Sequence, residues 1–479
     1  MCYYRKIEDN KMIRKIAILT AFVIAGFTGM LMLKHYVIDV HDHDHHDHDH
    51  HGVHEHSHDH SHEKDVQISP KLQQLLDRET ALNAAIQQRP DDLKSRTALA
   101  ETYVQLARMN GDHNDFVNKA LRVADNTLDI APENTEARMI KISVLLTLHQ
   151  FEKAKMLAES LAREFPHNAF VYGALCDANV ELGNYPEAVA ACDKMLSIRP
   201  DLRSYSRASY LREIHGDMPG AIAAMKLAVK SGVHGSDERN WALCHLANLY
   251  LQTGDIENAE IIYNGVRELQ PNRTEAIIGL ADIASINNGL SEGVSVLETY
   301  ADHDADHKII EKLALMLVAN GNDLKATEMI AHAAEGLHEQ AAIGWNIDLE
   351  LARFYADCNV NLDEAQTRIE REYQRRPENI DVLATYAWVE FRRGEIQKAL
   401  PLMEKALRME TKRPVYLYHA AEIYSAAGDL QTAQNYLKLG KSDKFLLPAQ
   451  NLESARELEK RLHQFAQQAQ VTPNKRQKS

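Results

Sequence analysis

Residues 240–271, "NWALCHLANLYLQTGDIENAEIIYNGVRELQP", contain the pattern that decides the fold. Two apolar, helix-forming stretches flank a polar turn, and Pro271 closes the second stretch because proline cannot continue a helix. Gly254 provides the backbone freedom that ends the first helix. Ala259 follows five positions later and is small enough to let two helices approach closely. The stretch therefore predicts two antiparallel helices joined by a tight turn.

The same glycine, alanine and proline positions recur along the chain with a period near 34 residues. Pro132, Pro166 and Pro200 are each 34 residues apart. A glycine followed five positions later by an alanine occurs at Gly183–Ala188, Gly216–Ala221, Gly254–Ala259, Gly321–Ala326, Gly394–Ala399 and Gly428–Ala433. Such a period indicates a repeat array, in which no helix pair buries its apolar stripe alone and each neighbour completes the core.

This pattern resembles the tetratricopeptide repeat family, and residues 168–200 match it as closely as the quoted stretch does. The family's characteristic positions in the quoted stretch are Leu246, Ala247, Tyr250, Gly254, Ala259, Val266 and Pro271. The resemblance covers about residues 90–445. It implies an all-α, superhelical solenoid of about ten helix pairs within residues 70–445. We expect a capping helix at 446–470 and a disordered tail at 471–479.

Residues 16–33, "IAILTAFVIAGFTGMLML", contain no charge and are long enough to span a bilayer as one helix. Basic residues precede the run, and an acidic stretch follows Lys34, so the positive-inside rule places residues 1–15 in the cytoplasm. We predict a signal-anchor helix in the cytoplasmic membrane of a bacterium, with the repeat array periplasmic or extracytoplasmic. A cleaved signal peptide is the alternative, but no A-x-A pattern follows the run.

Residues 34–69 form a linker rich in histidine and aspartate, with twelve histidines between residues 41 and 62. The linker has too few apolar residues to fold, so we expect it to be disordered. Neutral imidazole binds zinc, nickel, cobalt and copper, and the alternating spacing offers many overlapping weak sites. The candidate metal ligands are His41, His43, His45, His46, His48, His50, His51, His54, His56, His58, His60 and His62. A passive spacer and a charge switch below about pH 6.5 are the alternatives.

A lesser candidate is the segment "ADHDADH" at residues 301–307, in which His303 and His307 lie four positions apart. On a helix the two imidazoles would share one face. The other interpretation is a polar loop whose aspartates cap the helix that follows. The five cysteines form no C-x-x-C pair, which argues against a zinc site. We expect them to be small buried hydrophobic residues, with a disulfide between Cys176 and Cys192 as the alternative.

The net charge and the motifs of the sequence also limit the classes of function that are possible. A formal net charge of −15 argues against a nucleic-acid partner, because phosphate binding requires a basic face. The sequence contains no nucleophile elbow, phosphate-binding loop, H-E-x-x-H motif or dinucleotide-binding motif. The repeats also leave no room for a catalytic domain. We therefore expect no enzymatic activity and no obligatory cofactor.

In tetratricopeptide repeat proteins the first helix of each pair lines a groove that binds extended peptides or partner helices. Arg203, Arg207 and Arg212 lie on one predicted helix and would suit an acidic partner, although a solvated face is the simpler interpretation. Asn248 occupies a position that resembles the carboxylate clamp of some family members. The equivalent position one repeat later is Asp282, so we do not carry that clamp over.

Two functions fit these features. The first is a membrane-anchored scaffold that binds a protein partner in its groove. The second is an accessory protein that uses the histidine tract to deliver zinc, nickel or cobalt to a membrane transporter or an apo-metalloprotein. The two hypotheses share the fold and the topology, and they differ only in whether the histidines act.

Overall fold

A computed structural model describes residues 70–110, 113–301, 305–342, 344–441 and 446–471. The α-helices are α1 (Pro70–Gln88), α2 (Leu93–Asn110), α3 (His113–Ile130), α4 (Thr135–Thr147), α5 (Phe151–Glu164), α6 (Ala169–Leu182), α7 (Tyr185–Ile198), α8 (Leu202–Ile214), α9 (Met218–Ser231), α10 (Asp237–Gln252), α11 (Ile256–Leu269), α12 (Thr274–Asn288), α13 (Leu290–Glu298), α14 (His307–Ala319), α15 (Asp323–Ala342), α16 (Asp348–Cys358), α17 (Leu362–Arg375), α18 (Ile380–Arg392), α19 (Ile396–Ala406), α20 (Pro414–Ala426), α21 (Leu430–Gly440) and α22 (Leu452–Val471). These described ranges contain no strand.

The predicted membrane segment at 16–33 and the histidine-rich linker at 34–69 lie outside the described residues. So does the predicted tail, apart from Val471. Among the helices that the structure describes, none combines the length and the apolar character needed to cross a bilayer.

Ten helix pairs follow one another, from α2/α3 to α20/α21, with α1 before them and α22 after them. The two helices of each pair pack against each other, and the first helix of each pair also contacts the first helix of the next. This arrangement confirms the predicted all-α solenoid. The period of the sequence is the length of one such pair with its two turns.

Small residues at the crossing of the two helices explain why each pair forms. Gly254 has a φ of 77°, a left-handed conformation that lets the chain leave α10 and turn back as α11. The alanines five positions after the turn glycines are 0% exposed at Ala188, Ala221, Ala259, Ala399 and Ala433. A larger side chain there would push the two helices apart.

The solenoid does not remain open, because its second to fourth pairs contact its eighth to tenth pairs. We call this contact the seam. On one side it is formed by residues at the turns after α4, α6 and α8, which are His149, Glu181, Tyr185, Tyr210 and Glu213. On the other side it is formed by residues before or at the start of α16, α18 and α20, which are Asn346, Arg376, Asn379, Ile380, Asp381 and Arg413.

Main-chain groups and charges hold the seam together. The backbone N–H of Ile380 donates to the Tyr185 hydroxyl at 2.9 Å, and His149 donates through Nδ1 to the carbonyl of Asn346 at 2.8 Å. The two sides approach so closely that a Cβ at Gly183 would lie 2.3 Å from the carbonyl carbon of Glu378. Successive turns of the superhelix are therefore in direct contact.

The C-terminal helix α22 lies against α20 and α21. Arg461 of α22 reaches Glu422 of α20 at 2.8 Å, and Lys441 pairs with Glu459 of α22 at 2.5 Å. Ala455, Leu458 and Leu462 are its buried residues in a cluster shared with α20 and α21. The last pair of the array is thus covered by an amphipathic helix.

Candidate functional site

The first helices of the pairs line the inner side of the superhelix and are enclosed along most of their length. No residue of α14, α16 or α18 is exposed. The second helices carry the exposed apolar residues of the outer side, such as Ile261, which is 63% exposed, and Leu324, which is 89% exposed. Any ligand of the inner side would therefore lie in a narrow space.

The inner side is lined by half-buried charges of both signs. Lys308 and Glu311 lie on α14, and Glu350, Arg353 and Asp357 lie on α16. Burial raises the pKa of Glu311 to about 7 and that of Asp357 to about 6, although Arg353 opposes both shifts. Burial away from water therefore shifts the pKa of these two carboxyl groups more than any neighbouring charge does.

Part of this inner surface is occupied by the chain itself. Residues 446–450, "LLPAQ", precede α22 and are called the strap. Pro448 has φ −53° and ψ 145°, so the strap is extended there. The backbone N–H of Leu446 donates to the carbonyl of Gln252, the last residue of α10, at 2.8 Å. The strap thus begins at the fifth helix pair.

The strap continues across the sixth and seventh pairs. The backbone N–H of Ala449 donates to Oδ1 of Asp282 on α12 at 3.3 Å. The ammonium group of Lys312 on α14 donates to Oε1 of Gln450 at 2.8 Å and also forms a 2.7 Å ion pair with Asp282. Three successive first helices therefore each contribute one polar contact to a short segment that is extended at Pro448 and turns as a 3₁₀ helix from Ala449 to Asn451.

Apolar contacts complete the binding of the strap. Ala449 is 2% exposed and belongs to a cluster with Ile277, Ala281 and Leu313 of α12 and α14. Leu447 points the other way, into the cluster formed by α20, α21 and α22. The strap therefore links the C-terminal end of the array to its middle.

The seam contains a buried ion network. Arg376 donates to Glu372 and to Glu181 at 2.5 Å each, and it is 5% exposed. Burial opposes ionisation of Glu372, but Arg376 and a hydrogen bond from Asn346 hold its pKa below the ordinary value. Nearby, Arg413 bridges Asp381 at 2.6 Å and Glu213 at 2.9 Å. These charges are satisfied within the chain, so they join parts of the fold and leave no open site.

The structure places the predicted groove residues in different surroundings. Arg207 is buried and makes two hydrogen bonds to Asp177, at 2.7 and 2.6 Å, and a third to the carbonyl of Arg203. Arg212 is exposed and pairs with Asp217 at 2.6 Å. Arg203 and Asn248 are half-buried on α8 and α10. The role of these four residues in partner binding stays a prediction, and Asp177 already neutralises Arg207.

The twelve candidate metal ligands of the histidine tract lie outside the described residues, and so does His303. His307 is the first residue of α14, and Asp306 caps that helix by accepting the backbone N–H of Lys308 at 3.0 Å. In the part of the chain that the structure describes, no group of three or more potential ligands could hold a metal ion. Cys176 and Cys192 are buried free thiols.

Sequence reasoning missed the strap and the seam. The proline in "LLPAQ" is the one signal that could have separated the strap from the capping helix, because the residue before a proline disfavours the helical region. No comparable signal exists for the seam, since nothing in the sequence distinguishes its turn residues from the other turn residues of the array.

Residues 242–273 match the model of the tetratricopeptide repeat family. This match supports the family that the sequence pattern indicates. No curated protein matches the chain.

Two solved structures similar to this chain illustrate the range of the likeness. TTC0263, a thermophilic tetratricopeptide repeat protein of Thermus thermophilus, is 18% identical, with a TM-score of 0.35 over 40% of this chain and 98% of that one. The human IFIT1 dimer with m7Gppp-AAAA is 12% identical, with a TM-score of 0.42 over 77% of this chain and 86% of that one. At these identities the two similarities concern the fold and not the function.

Proposed function

We propose that this protein is a non-enzymatic scaffold that binds a protein partner, as an extended segment, on the inner surface of α10, α12 and α14. A tetratricopeptide repeat fold suggests protein–protein interaction in general. The observation that supports the more specific proposal is the strap, because this surface already binds a short segment of polypeptide that is extended at Pro448.

The chemistry of the surface suits such a ligand. The Gln252 carbonyl accepts a backbone N–H, the Asp282 carboxylate accepts a second, and the Lys312 ammonium donates to a side-chain oxygen. Backbone contacts give affinity for any extended chain, and the buried position next to them selects a small side chain. A neutral hydrogen bond adds about 0.5–1.5 kcal/mol and one to a charged group about 1.5–3 kcal/mol, so one neutral and two charged contacts with one buried side chain suit a reversible interaction.

We further propose that residues 16–33 anchor the scaffold in the cytoplasmic membrane, with the array on the extracytoplasmic side. The length of the apolar run and the basic residues before it support this topology. The linker would then hold the array at a distance from the bilayer. Fractionation of cells followed by alkaline extraction tests the anchor, and release of the full chain into the soluble fraction would refute it.

Metal handling is the second candidate function, and the twelve histidines between residues 41 and 62 favour it. In this case the tract would concentrate zinc, nickel, cobalt or copper near a transporter or an apo-metalloprotein bound by the array. Competitive titration of the full chain against a variant lacking residues 41–62 tests this function. Tight, metal-selective binding that the deletion abolishes supports it, whereas weak binding to every metal reduces the tract to a spacer.

Crosslinking in cells tests the scaffold itself. A photoreactive amino acid replaces Leu315, a half-buried residue of α14, or Met156, which is 64% exposed on the outer side of α5. We expect position 315 to crosslink to one partner, and a Lys312→Ala substitution in the same chain to abolish that product. Position 156 is the matched control. Equal products from both positions would show that the inner surface is not the binding site.

A further inference from the structure

We infer that the strap is a built-in competitor for the partner, which must displace residues 446–450 to bind. The inference rests on the proposed function, and it also assigns the partner's chemistry. The partner segment should present a small residue that becomes buried and, next to it, a side chain with an oxygen acceptor, after a stretch of extended backbone like that at Pro448. Ala449 and Gln450 have these properties in the strap itself.

The strap follows the repeat geometry, as a ligand of the array would. Its contacts lie at Gln252, Asp282 and Lys312, which belong to three consecutive first helices. Helices packed about 9 Å apart make such a match possible within five residues, because the segment rises about 3.4 Å per residue up to Pro448 and the long side chain of Gln450 makes the last contact.

The strap is also attached to a separate element of the fold. It continues through the turn Ala449–Asn451 into α22, which packs against α20 and α21. α22 is therefore bound to the array through contacts of its own, such as Arg461 with Glu422. The strap can leave α12 and α14 while α22 stays in place.

The covalent link of the strap to the array gives it a high effective concentration at the inner surface. A covalently linked segment competes with a free ligand at an effective concentration of the order of millimolar. A partner that uses the same contacts would then bind weakly to the closed chain, because only the fraction of chains with an open strap can accept it. Release of the strap should raise the apparent affinity without any change in the surface.

The polarity of the surface also restricts which residues the partner segment can have. Lys312 would repel an arginine or lysine at the position of Gln450, and it would donate a hydrogen bond to a glutamate or glutamine there. The apolar surroundings of Ala449 exclude a charged residue at that position. The partner segment is therefore neutral or acidic, with alanine, glycine or serine in the buried position.

The experiment measures binding of a labelled peptide, LLPAQN, which has the sequence of residues 446–451. Three full-length chains are compared: the natural chain, Gln450→Ala, and a chain in which residues 446–450 are replaced by Gly-Ser-Gly-Ser-Gly. We expect Gln450→Ala to bind the peptide several-fold more tightly than the natural chain, and the replaced chain at least about tenfold more tightly. The substitution Gln431→Ala, at an exposed glutamine of α21, is the matched control.

Two further measurements make the result specific. In the replaced chain, Lys312→Ala should abolish peptide binding, and a peptide with aspartate in place of the alanine should bind at least about tenfold more weakly. Circular dichroism shows whether each variant keeps its helices. Gln450→Ala leaves the buried Leu447 and Ala449 in place, so it tests the inference even if the replaced chain unfolds.

Equal peptide affinity for the natural chain and a folded Gln450→Ala or replaced chain would overturn the inference and leave the strap a structural link. The proposed function fails differently, through loss of the crosslink at position 315. A scaffold that binds its partner elsewhere would still show strap competition with the peptide, so the two failures can be told apart.

Discussion

Contacts between neighbouring helix pairs and contacts across the seam differ in chemistry. The helices within a pair and those of neighbouring pairs meet through apolar side chains and through alanines that are 0% exposed, such as Ala188 and Ala259. The seam joins residues almost 200 positions apart through single charges and main-chain hydrogen bonds, such as Arg376 with Glu181. The apolar contacts between neighbours recur along the array, whereas each seam contact occurs once.

The difference implies unequal sensitivity. The loss of one apolar contact between neighbours removes only a small part of the total stability, since each repeat interface contributes its own share. An ion pair of the seam, in contrast, is not repeated elsewhere in the array. Removing one member leaves its partner buried without a counter-charge, which costs more than the intact pair contributes.

Replacing Arg376 with alanine should give the largest effect. Glu181 and Glu372 would lose their shared cation at a position that is 5% exposed, and breaking a buried ion pair costs about 3–5 kcal/mol in the free energy of unfolding. Urea unfolding followed by circular dichroism measures this loss. Arg393→Ala is the control, because its partner Asp363 is exposed, and it should cost less than about 1 kcal/mol. Equal losses in the two variants would contradict the special role of the seam.

Replacing Ala259 with leucine tests the contact between helices α10 and α11. The added side chain has no space at a position that is 0% exposed, so we expect a loss of about 1–3 kcal/mol. Hydrogen exchange should rise in the fifth pair and its neighbours and stay unchanged at the seam. Ala331→Leu, on an exposed position of α15, should change stability by no more than about 0.5 kcal/mol. Faster exchange throughout the chain would contradict this expectation, because it would show that one altered contact between α10 and α11 destabilises the whole array.

Replacing Glu311 with glutamine tests the electrostatics of the inner side. Burial raises the pKa of Glu311 to about 7, so between about pH 4.3 and 7 the folded chain keeps a proton that the unfolded chain has lost. Stability from this group is therefore complete at low pH and is lost as the pH rises through 7. We expect the natural chain to lose about 1–3 kcal/mol more than Glu311→Gln between pH 5 and 8.

Lys308, Arg353, Glu350 and Asp306 all act on Glu311, and they are unchanged in both proteins. Glu159→Gln, at an exposed carboxylate of α5, controls for the loss of a negative charge. Parallel pH profiles for the natural chain and Glu311→Gln would show that Glu311 is ionised throughout.

Arg212 should give the smallest effect. Its pair with Asp217 is about half exposed on both sides, and such pairs contribute less than about 1 kcal/mol. Arg207→Ala is the instructive counterpart, because it removes the cation of the buried Asp177 and should cost several times more. Thermal unfolding of both variants measures this difference. A large loss from Arg212→Ala would assign it a contact beyond Asp217.

The features that the sequence predicts are those that repeat. The spacing of Gly254, Ala259 and Pro271 predicts the helix pair, and its recurrence predicts the solenoid. Arg376 and Glu181 look like ordinary surface charges in the sequence, since nothing local distinguishes them from Arg212 and Asp217. Their contact depends on the curvature summed over six helix pairs, a quantity to which every turn contributes. The strap was missed for a related reason, because its binding surface is assembled from three separate pairs.

The seam also has a consequence for the order in which the chain is made. The third helix pair, with Glu181, leaves the ribosome long before Arg376, which follows 195 residues later. During that interval a surface that the finished protein buries faces the solvent or whatever chaperone is present. An array of this kind can begin to fold from its first pairs as they emerge, but it closes only when its ninth pair has been synthesised. Truncated chains that end before residue 376 should therefore be held by chaperones, and the full chain released from them.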